Sequence, residues 1–236
     1  MILRRGDGGV VRVGHRGAAA LAPENSLAAI EAAAAVGVEL VEVDVLRRPD
    51  GRLVIAHGPE ILPGAPLLDE ALALVARLGL GVQLDVKVPG LAAEVVAAAG
   101  EHGLLDRAFV SSYSARVLGE FRAAEPSLPR SFTYPEDRLG LSGRLLLRPG
   151  VRAGLIALRL ALPARLPTWL RAVDASAATL NWAVASPRAI AACHRLGCAA
   201  FVWTVNDAKL VKNLLESGAD GIITDDPRLF AGTMRP

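Results

Sequence analysis

Residues 40–45 read LVEVDV, with two acids set among valines and a leucine. The β-branched run is typical of a buried strand, whereas buried strands ordinarily carry no carboxylates. Because strand side chains alternate between two faces, Glu42 and Asp44 share one face and repel each other there. Burying both costs free energy unless a positive charge faces them. The stretch therefore predicts a buried strand of a sheet and a cationic group against its acidic face.

Short β-branched runs alternate with longer alanine- and leucine-rich stretches on both sides of this strand. The predicted strands are 10–15, 40–46, 82–88, 108–113, 130–134, 178–182, 199–205 and 220–225. The predicted helices are 25–37, 69–79, 91–103, 115–125, a stretch near 151–175, 187–197 and 208–218. Residues 52–57 are predicted to pair with the second strand as a hairpin. The alternation predicts an α/β protein with a parallel sheet, and the chain length favours a (β/α)₈ TIM barrel over an open sheet. Since no linker divides the chain, we expect residues 1–236 to form a single barrel domain with a short insertion after strand 2.

The composition excludes several classes of protein. The 236 residues are 52% hydrophobic and carry a net charge of +2, which is too small to indicate nucleic-acid binding. Two cysteines are too few for a disulfide framework and fit a reducing compartment. No signal peptide is visible, and no segment reaches the roughly 18 uncharged residues that a membrane span needs. We therefore expect a soluble cytoplasmic protein, with no indication of its oligomeric state.

Polar residues fall near the ends of the predicted strands, at the face that carries the active site in such barrels. Besides Glu42 and Asp44, they are His15, Arg16, His57, Asp85, Lys87, Asn181 and Trp203. Three acids, two histidines, an arginine and a lysine would thus converge on one mouth. Trp203 is a candidate for substrate contact, with core packing as the simpler interpretation.

These residue types point to one kind of chemistry. Oxygen ligands without cysteine suit a hard divalent cation, Mg²⁺ or Ca²⁺, held by Glu42, Asp44 and Asp85. The arginine and the lysine beside such a cation suit an anion, and phosphate fits best. The two histidines supply a general acid and a general base near neutral pH. The pattern predicts metal-assisted chemistry on a small-molecule phosphate ester.

Simpler interpretations compete at several positions. Asp85 and Lys87 could form only an ion pair inside the barrel. Residues 193–198, CHRLGC, offer two cysteines and a histidine for a metal, but a fourth ligand and a recognised spacing are missing. His102 and His194 end predicted helices, where a cation favours the helix dipole, and both are expected to be structural.

Seven motifs of the chain resemble the glycerophosphodiester phosphodiesterase family in their order and cover nearly the whole sequence. They are HRG (15–17), PENS (23–26), VEVDV (41–45), LVIAH (53–57), LDVK (84–87), VWTVND (202–207) and GADGIITDDP (218–227). The resemblance implies a (β/α)₈ barrel that hydrolyses glycerophosphodiesters to glycerol 3-phosphate and an alcohol with a divalent metal. The implied site residues are the acid/base pair His15 and His57, the metal ligands Glu42, Asp44 and Asp85, and the phosphate contacts Arg16 and Lys87.

The sequence departs from the family pattern in three ways. Asp85 stands where the family has Glu, which shortens that ligand by one methylene. Gly58 follows His57 where the family usually has Asp, so a supporting partner of His57 is expected to be missing. The segment after His57 is short, which predicts an open mouth that admits bulkier alcohols. In the PENS motif, Asn25 or Ser26 is expected to cap the next helix.

Other functions fit the same residues. A lysophospholipase D-like or other phosphodiesterase activity follows from an open mouth. A catalytically lapsed phosphate-ligand-binding barrel follows from Asp85 and Gly58, and an aldolase-like enzyme would use Lys87 as a Schiff-base lysine. The arginine-rich segment 143–173 reads as an amphipathic barrel helix with a solvated face, or as a surface for peripheral contact with anionic lipid.

Overall fold

The computed structural model describes residues 3–4, 9–58, 61, 63–135 and 149–231, with the backbone alone for 149–153. Its strands are β1 (Val11–Gly14), β2 (Leu40–Arg47), β3 (Leu53–Ile55), β4 (Gly81–Val86), β5 (Ala108–Ser112), β6 (Arg130–Tyr134), β7 (Ala177–Asn181), β8 (Ala199–Trp203) and β9 (Gly221–Thr224). Its helices are α1 (Leu27–Val36), α2 (Leu68–Arg77), α3 (Ala92–Glu101), α4 (Ala115–Ala124), α5 (Pro149–Ala172), α6 (Pro187–His194) and α7 (Ala208–Glu216), followed by a 3₁₀ turn over Pro227–Phe230.

The strands form a closed barrel. Parallel neighbours follow one another from β1 through β9, β8, β7, β6, β5 and β4 to β2, and β1 also pairs with β2. Strand β3 lies outside this ring and pairs antiparallel with β2. The prediction of a (β/α)₈ TIM barrel is therefore confirmed, and so is the hairpin partner of the second strand.

The two faces of β2 have separate environments. Val41, Val43 and Val45 pack outward into the hydrophobic layer that the surrounding helices cover, while Leu40 packs inward with the barrel interior. The alternation of a strand then carries Glu42 and Asp44 inward as well. The run of valines that made the stretch a predicted strand thus holds the two acids inside the barrel.

Aromatic rings fill the part of the barrel interior that lies away from the carboxyl ends of the strands. Phe109 and Phe201 are fully buried, with ring centroids 5.2 Å apart. Gly221 gives Phe201 its space, because a Cβ at that position would lie 2.2 Å from the ring. Apolar side chains close this part of the interior, and the charged side chains of β2 and β4 lie nearer the carboxyl ends of their strands.

The helices differ in length and in their caps. Ser26 caps α1, since its hydroxyl accepts a hydrogen bond from the backbone N–H of Ala29, so of the two predicted caps the structure uses Ser26. Helix α5 has 24 residues, whereas α1 to α4 have ten each. Among the described residues, no helix is both long and apolar enough to cross a membrane. The arginine-rich segment 143–173 is described from residue 149 onward, so its Arg144 and Arg148 lie outside the described residues.

Candidate functional site

Three carboxylates meet at the carboxyl ends of β2 and β4. The register of these strands sets Asp44 opposite Asp85, and Glu42 lies two residues earlier on the same face. One carboxylate oxygen from each residue lies within 4.8 Å of those from the other two. Glu42 and Asp44 are buried, and Asp85 is partly buried. The three predicted metal ligands are therefore brought together.

The charge state of this cluster reflects its burial. Burial, and next the charge of Asp44, raises the pKa of Glu42 to about 7. Burial also raises the pKa of Asp85, and Asp44 adds to the shift. The raised pKa values mean that the ionised carboxylates are disfavoured, and added positive charge stabilises them. An all-oxygen donor set suits a hard divalent cation. The cluster therefore fits such a cation on the chemistry and spacing of its own atoms.

Two basic side chains reach the same acids. Lys87 Nζ contacts Asp44 Oδ1 and lies 3.4 Å from Asp85 Oδ2. Arg16 Nε lies 3.2 Å from Asp44 Oδ2, and its Nη1 donates to Glu24 Oε2 at 2.6 Å. Burial alone would raise the pKa of Asp44 and lower that of Lys87, but their hydrogen bonds and charges reverse both shifts. The Asp85–Lys87 ion pair predicted as an alternative exists, as one part of a larger cluster.

The loop that carries Arg16 depends on a glycine. Arg16 and Gly17 have φ angles of +51° and +86°, in the left-handed region. A Cβ on Gly17 would lie 2.6 Å from the carbonyl carbon of Ala29, so α1 packs directly against this residue. The backbone N–H of Arg16 donates to Glu42 Oε2 at 2.9 Å, which ties the loop to the acidic cluster.

His57 follows the short strand β3 and lies at the rim of the mouth, with 39% of its side chain exposed. Its Nδ1 lies 3.1 Å from Asp44 Oδ2 and 3.3 Å from Lys87 Nζ. The departure at Gly58 predicts a missing partner for this histidine. In the structure Asp44 provides that partner from the neighbouring strand.

His15 follows β1 on the other side of the cluster. Its Nε2 lies 3.9 Å from Glu42 Oε2, and its Nδ1 lies 2.6 Å from Asp225 Oδ1. Burial lowers the pKa of His15, but the hydrogen bond to Asp225 and the charge of Glu42 outweigh this, so the pKa is raised. The two predicted histidines therefore flank the acids, His15 beside Glu42 and His57 beside Asp44.

Sequence reasoning missed three polar residues of the site. Asp225 contacts His15, and Asn206 donates from Nδ2 to Asp225 Oδ2 at 2.5 Å. Asn25, which is buried, donates to Asp44 Oδ2 at 3.0 Å and accepts from the Asp44 backbone N–H at 3.1 Å. Asp225 and Asn206 lie within three residues of the ends of β9 and β8, in the motifs GADGIITDDP and VWTVND, whereas Asn25 lies in PENS, just before α1. The position after a strand end is the signal that could have identified Asp225 and Asn206, and the PENS motif is the one for Asn25.

Other candidates lie apart from this cluster. Trp203 packs against the apolar barrel interior and donates from Nε1 to the carbonyl oxygen of Thr179 at 3.2 Å, so the core-packing interpretation describes its contacts. Asn181 is buried and accepts from the backbone N–H of Ala183 at 3.0 Å.

The other two histidines pair with acids elsewhere. His102 Nε2 lies 2.7 Å from Asp69 Oδ1, and His194 Nε2 lies 2.7 Å from Asp220 Oδ2. Within the described ranges, the one group of three or more potential metal ligands is the acidic cluster, so residues 193–198 form no such group. Both histidines therefore have the structural surroundings expected for them.

Comparison with known proteins gives consistent results. The model of the glycerophosphoryl diester phosphodiesterase family matches residues 15–69 and 82–229. A glycerophosphodiester phosphodiesterase of Caldanaerobacter subterraneus is 23% identical over 94% of this chain and 97% of its own. Two solved structures share the fold with a TM-score of 0.74: a phosphodiesterase of Oleispira antarctica in complex with the product sn-glycerol-3-phosphate, and a glycerophosphodiester phosphodiesterase of Parabacteroides distasonis. They are 21% and 19% identical, cover 94% and 96% of this chain, and are themselves covered over 95% and 99%.

Proposed function

The chain belongs to the glycerophosphoryl diester phosphodiesterase family, and we propose that it hydrolyses glycerophosphodiesters to glycerol 3-phosphate and an alcohol with a divalent cation, Mg²⁺ or Ca²⁺. The observation that carries the proposal is the cluster of Glu42, Asp44 and Asp85, flanked by two histidines, an arginine and a lysine. The product complex of the Oleispira antarctica phosphodiesterase supports glycerol 3-phosphate as the product. We further propose that residues 1–236 form a single barrel domain with a short insertion after strand 2.

The basic residues hold the phosphate in this proposal. Bound at the three carboxylates, a divalent cation would polarise a phosphoryl oxygen and neutralise the acids. Arg16 and Lys87 already lie against Asp44, so their positive charges face the place where the phosphate charge has to be held. Asn25 and the backbone N–H of Arg16 keep the Asp44 and Glu42 carboxylates oriented.

The two histidines divide the proton transfers. Each has its Nδ1 engaged by a carboxylate, which leaves Nε2 as the nitrogen that exchanges a proton with the substrate. One histidine deprotonates the attacking hydroxyl, which is water or the 2-hydroxyl of the glycerol, and the other protonates the departing alkoxide.

The rival enzyme reaction has less support. A Schiff-base lysine needs a neutral amine, and amines become neutral when the pKa falls. Lys87 contacts Asp44 and lies near Asp85, and these charges raise its pKa above the ordinary value despite burial. The site therefore favours an ammonium group that holds an anion. Trapping with borohydride and a carbonyl compound would reverse this conclusion.

The exposed face of α5 supports a second proposal, peripheral contact with anionic lipid. Ile156 and Leu160 have 58% and 71% of their surface exposed, and Arg165 and Arg171 of the same helix are exposed too. A helix that exposes both apolar side chains and arginines suits the boundary between lipid headgroups and acyl chains. This contact would bring lysophospholipids to a phosphodiesterase site.

The cytoplasmic location stays a prediction.

A metal-replacement assay tests the main proposal. The protein is stripped with a chelator, its metal content is checked by elemental analysis, and a panel of glycerophosphodiesters is assayed with each cation added back. We expect turnover to vanish and to return with Mg²⁺ or Ca²⁺. Full turnover by the stripped protein contradicts the metal assignment, and ligand binding without turnover under every condition identifies a lapsed barrel.

A second assay tests the two histidines. His15→Ala and His57→Ala are each expected to lose roughly 10²–10⁴-fold in rate, the usual scale for one acid or base. His102→Ala and His194→Ala should lose almost nothing. With a p-nitrophenolate leaving group, which departs without a proton, the variant that lacks the general acid should recover most of its loss. If both variants stay equally impaired on both substrates, the histidines do not form a divided acid/base pair.

A further inference from the structure

Asp225 lies beside His15 because of the barrel closure. Strands β1 and β9 pair with Gly14 opposite Thr224, so the residues that follow the two strands, His15 and Asp225, leave the sheet side by side. The backbone N–H of His15 donates to the carbonyl oxygen of Thr224 at 2.8 Å. The ring Nδ1 then lies 2.6 Å from Asp225 Oδ1, a short distance typical of a charge-assisted hydrogen bond.

Asp225 is itself held by Asn206, in the loop after β8. The Asn206 amide donates from Nδ2 to Asp225 Oδ2, and its Oδ1 accepts from the Asp225 backbone N–H at 3.0 Å. The Thr224 hydroxyl donates to the same Oδ1 at 3.0 Å. The loop is anchored in turn by a hydrogen bond from Val205 N–H to the Ile223 carbonyl oxygen at 2.9 Å. Both oxygens of Asp225 are therefore engaged, and its carboxylate cannot turn away from His15 without breaking these bonds.

This chain of contacts decides which ring nitrogen of His15 faces the reaction. A neutral imidazole carries its proton on one nitrogen, and a carboxylate at Nδ1 keeps the proton there. Nε2, which lies 3.9 Å from Glu42 Oε2, is then the nitrogen with a free lone pair at the acidic cluster. When Nε2 takes up a proton, the Asp225 carboxylate at Nδ1 stabilises the imidazolium that forms.

We infer that Asp225 is a positioning residue of the reaction, which with Asn206 fixes the orientation and tautomer of His15 so that Nε2 serves the substrate. The inference rests on the proposed role of His15 as acid or base. A purely structural role would instead make the pair a link between β1 and β9, of the kind that His102 forms with Asp69 on the helices. That pair provides a matched control, since it has the same chemistry away from the site.

Kinetics provides the first test. The full-length chain is compared with its Asp225→Asn, Asn206→Ala and Asp69→Asn variants, each checked for folding by circular dichroism and thermal unfolding. We expect Asp225→Asn to lower kcat about 10²–10³-fold with KM changed less than about threefold, because orientation and tautomer act on proton transfer. Asn206→Ala should lose about tenfold in kcat, since Asp225 loses one of its anchors, and Asp69→Asn should keep full activity. A folded Asp225→Asn variant with kcat within about threefold of the parent overturns the inference. If Asp225→Asn does not fold, a kcat of Asn206→Ala within about threefold of the parent overturns it instead.

A spectroscopic test is independent of turnover. The chain has four histidines, so ¹⁵N-histidine NMR spectra are simple, and comparison with His15→Gln identifies the His15 signals. We expect the parent to show the proton on Nδ1 of His15 and Asp225→Asn to lose this state, while Asp69→Asn leaves the His15 signals unchanged. The same tautomer in the parent and in Asp225→Asn overturns the inference. If His15→Ala keeps full activity while the NMR result holds, the proposed acid/base role of His15 fails and the positioning role of Asp225 is overturned with it, although the hydrogen bond between the two side chains remains. Absence of turnover by the parent, with the NMR result intact, instead contradicts the proposed hydrolysis and leaves the geometry of His15 and Asp225 as described.

Discussion

Removal of the Asn25 side chain should destabilise the protein through Asp44. Asn25 is 4% exposed, and its amide makes two hydrogen bonds to Asp44, one to the carboxylate and one from the backbone N–H. Asn25→Gly suits the change because φ is +50° at this residue, where glycine keeps the backbone unstrained. The variant leaves the Asp44 N–H buried without its acceptor, at a cost of about 1–3 kcal/mol.

The expected total follows from these two contacts. The lost hydrogen bond to the carboxylate adds about 1.5 kcal/mol, the low end for a charged acceptor, because Asp44 keeps Lys87 and His57. We expect a loss of about 3 kcal/mol in the free energy of unfolding. At about 2–4 °C for each kcal/mol in a chain of this size, the melting temperature should fall by roughly 6–12 °C.

Urea unfolding in the presence of a chelator measures this loss without any contribution from bound metal. Ser26→Ala is the matched control, because the neighbouring Ser26 caps α1 and its removal costs about 1 kcal/mol. The control should lower stability and leave cation affinity, measured by calorimetry, unchanged, whereas Asn25→Gly should weaken both. A loss in Asn25→Gly no larger than that in Ser26→Ala would refute the assignment of Asn25 as the support of Asp44.

Three further predictions follow from burial and packing. Cys193 and Cys198 are buried, and burial raises the pKa of the Cys193 thiol to about 12. Both thiols should therefore react with a disulfide reagent at pH 8 only as fast as the protein opens, and rapid stoichiometric labelling of the native protein would contradict this. Gly17→Ala should destabilise the protein by about 3 kcal/mol, because φ at residue 17 is positive and the added Cβ would overlap the backbone of α1. An unchanged urea midpoint would show that the HRG loop has room for a side chain. Replacement of Ile156 and Leu160 by serine should abolish flotation with anionic vesicles and leave turnover of a water-soluble glycerophosphodiester intact; if the parent does not float, the solvated-helix interpretation of α5 holds.

The elements of this fold could be predicted because their signals are local. The strands are short runs that contain β-branched or aromatic residues, most helices are alanine- and leucine-rich stretches, and those patterns depend only on neighbours along the chain. The inward direction of Glu42 and Asp44 is local in the same way, since alternation along LVEVDV is enough to put both on one face. The convergence of the predicted acids and histidines then followed from one general property of parallel barrels, that all strands end at the same face.

The contacts that orient these groups depend on closure of the barrel. The sequence ITDDP contains two neighbouring aspartates that no local pattern tells apart. In the structure Asp226 accepts from the Arg228 N–H at 3.1 Å at the start of the 3₁₀ turn, while Asp225 contacts His15, 210 residues away along the chain. Which aspartate faces the site is set by the register between β1 and β9, because a shift of one residue turns a strand side chain to the opposite face. That register exists only when the last strand meets the first, so it is the closed barrel that selects Asp225.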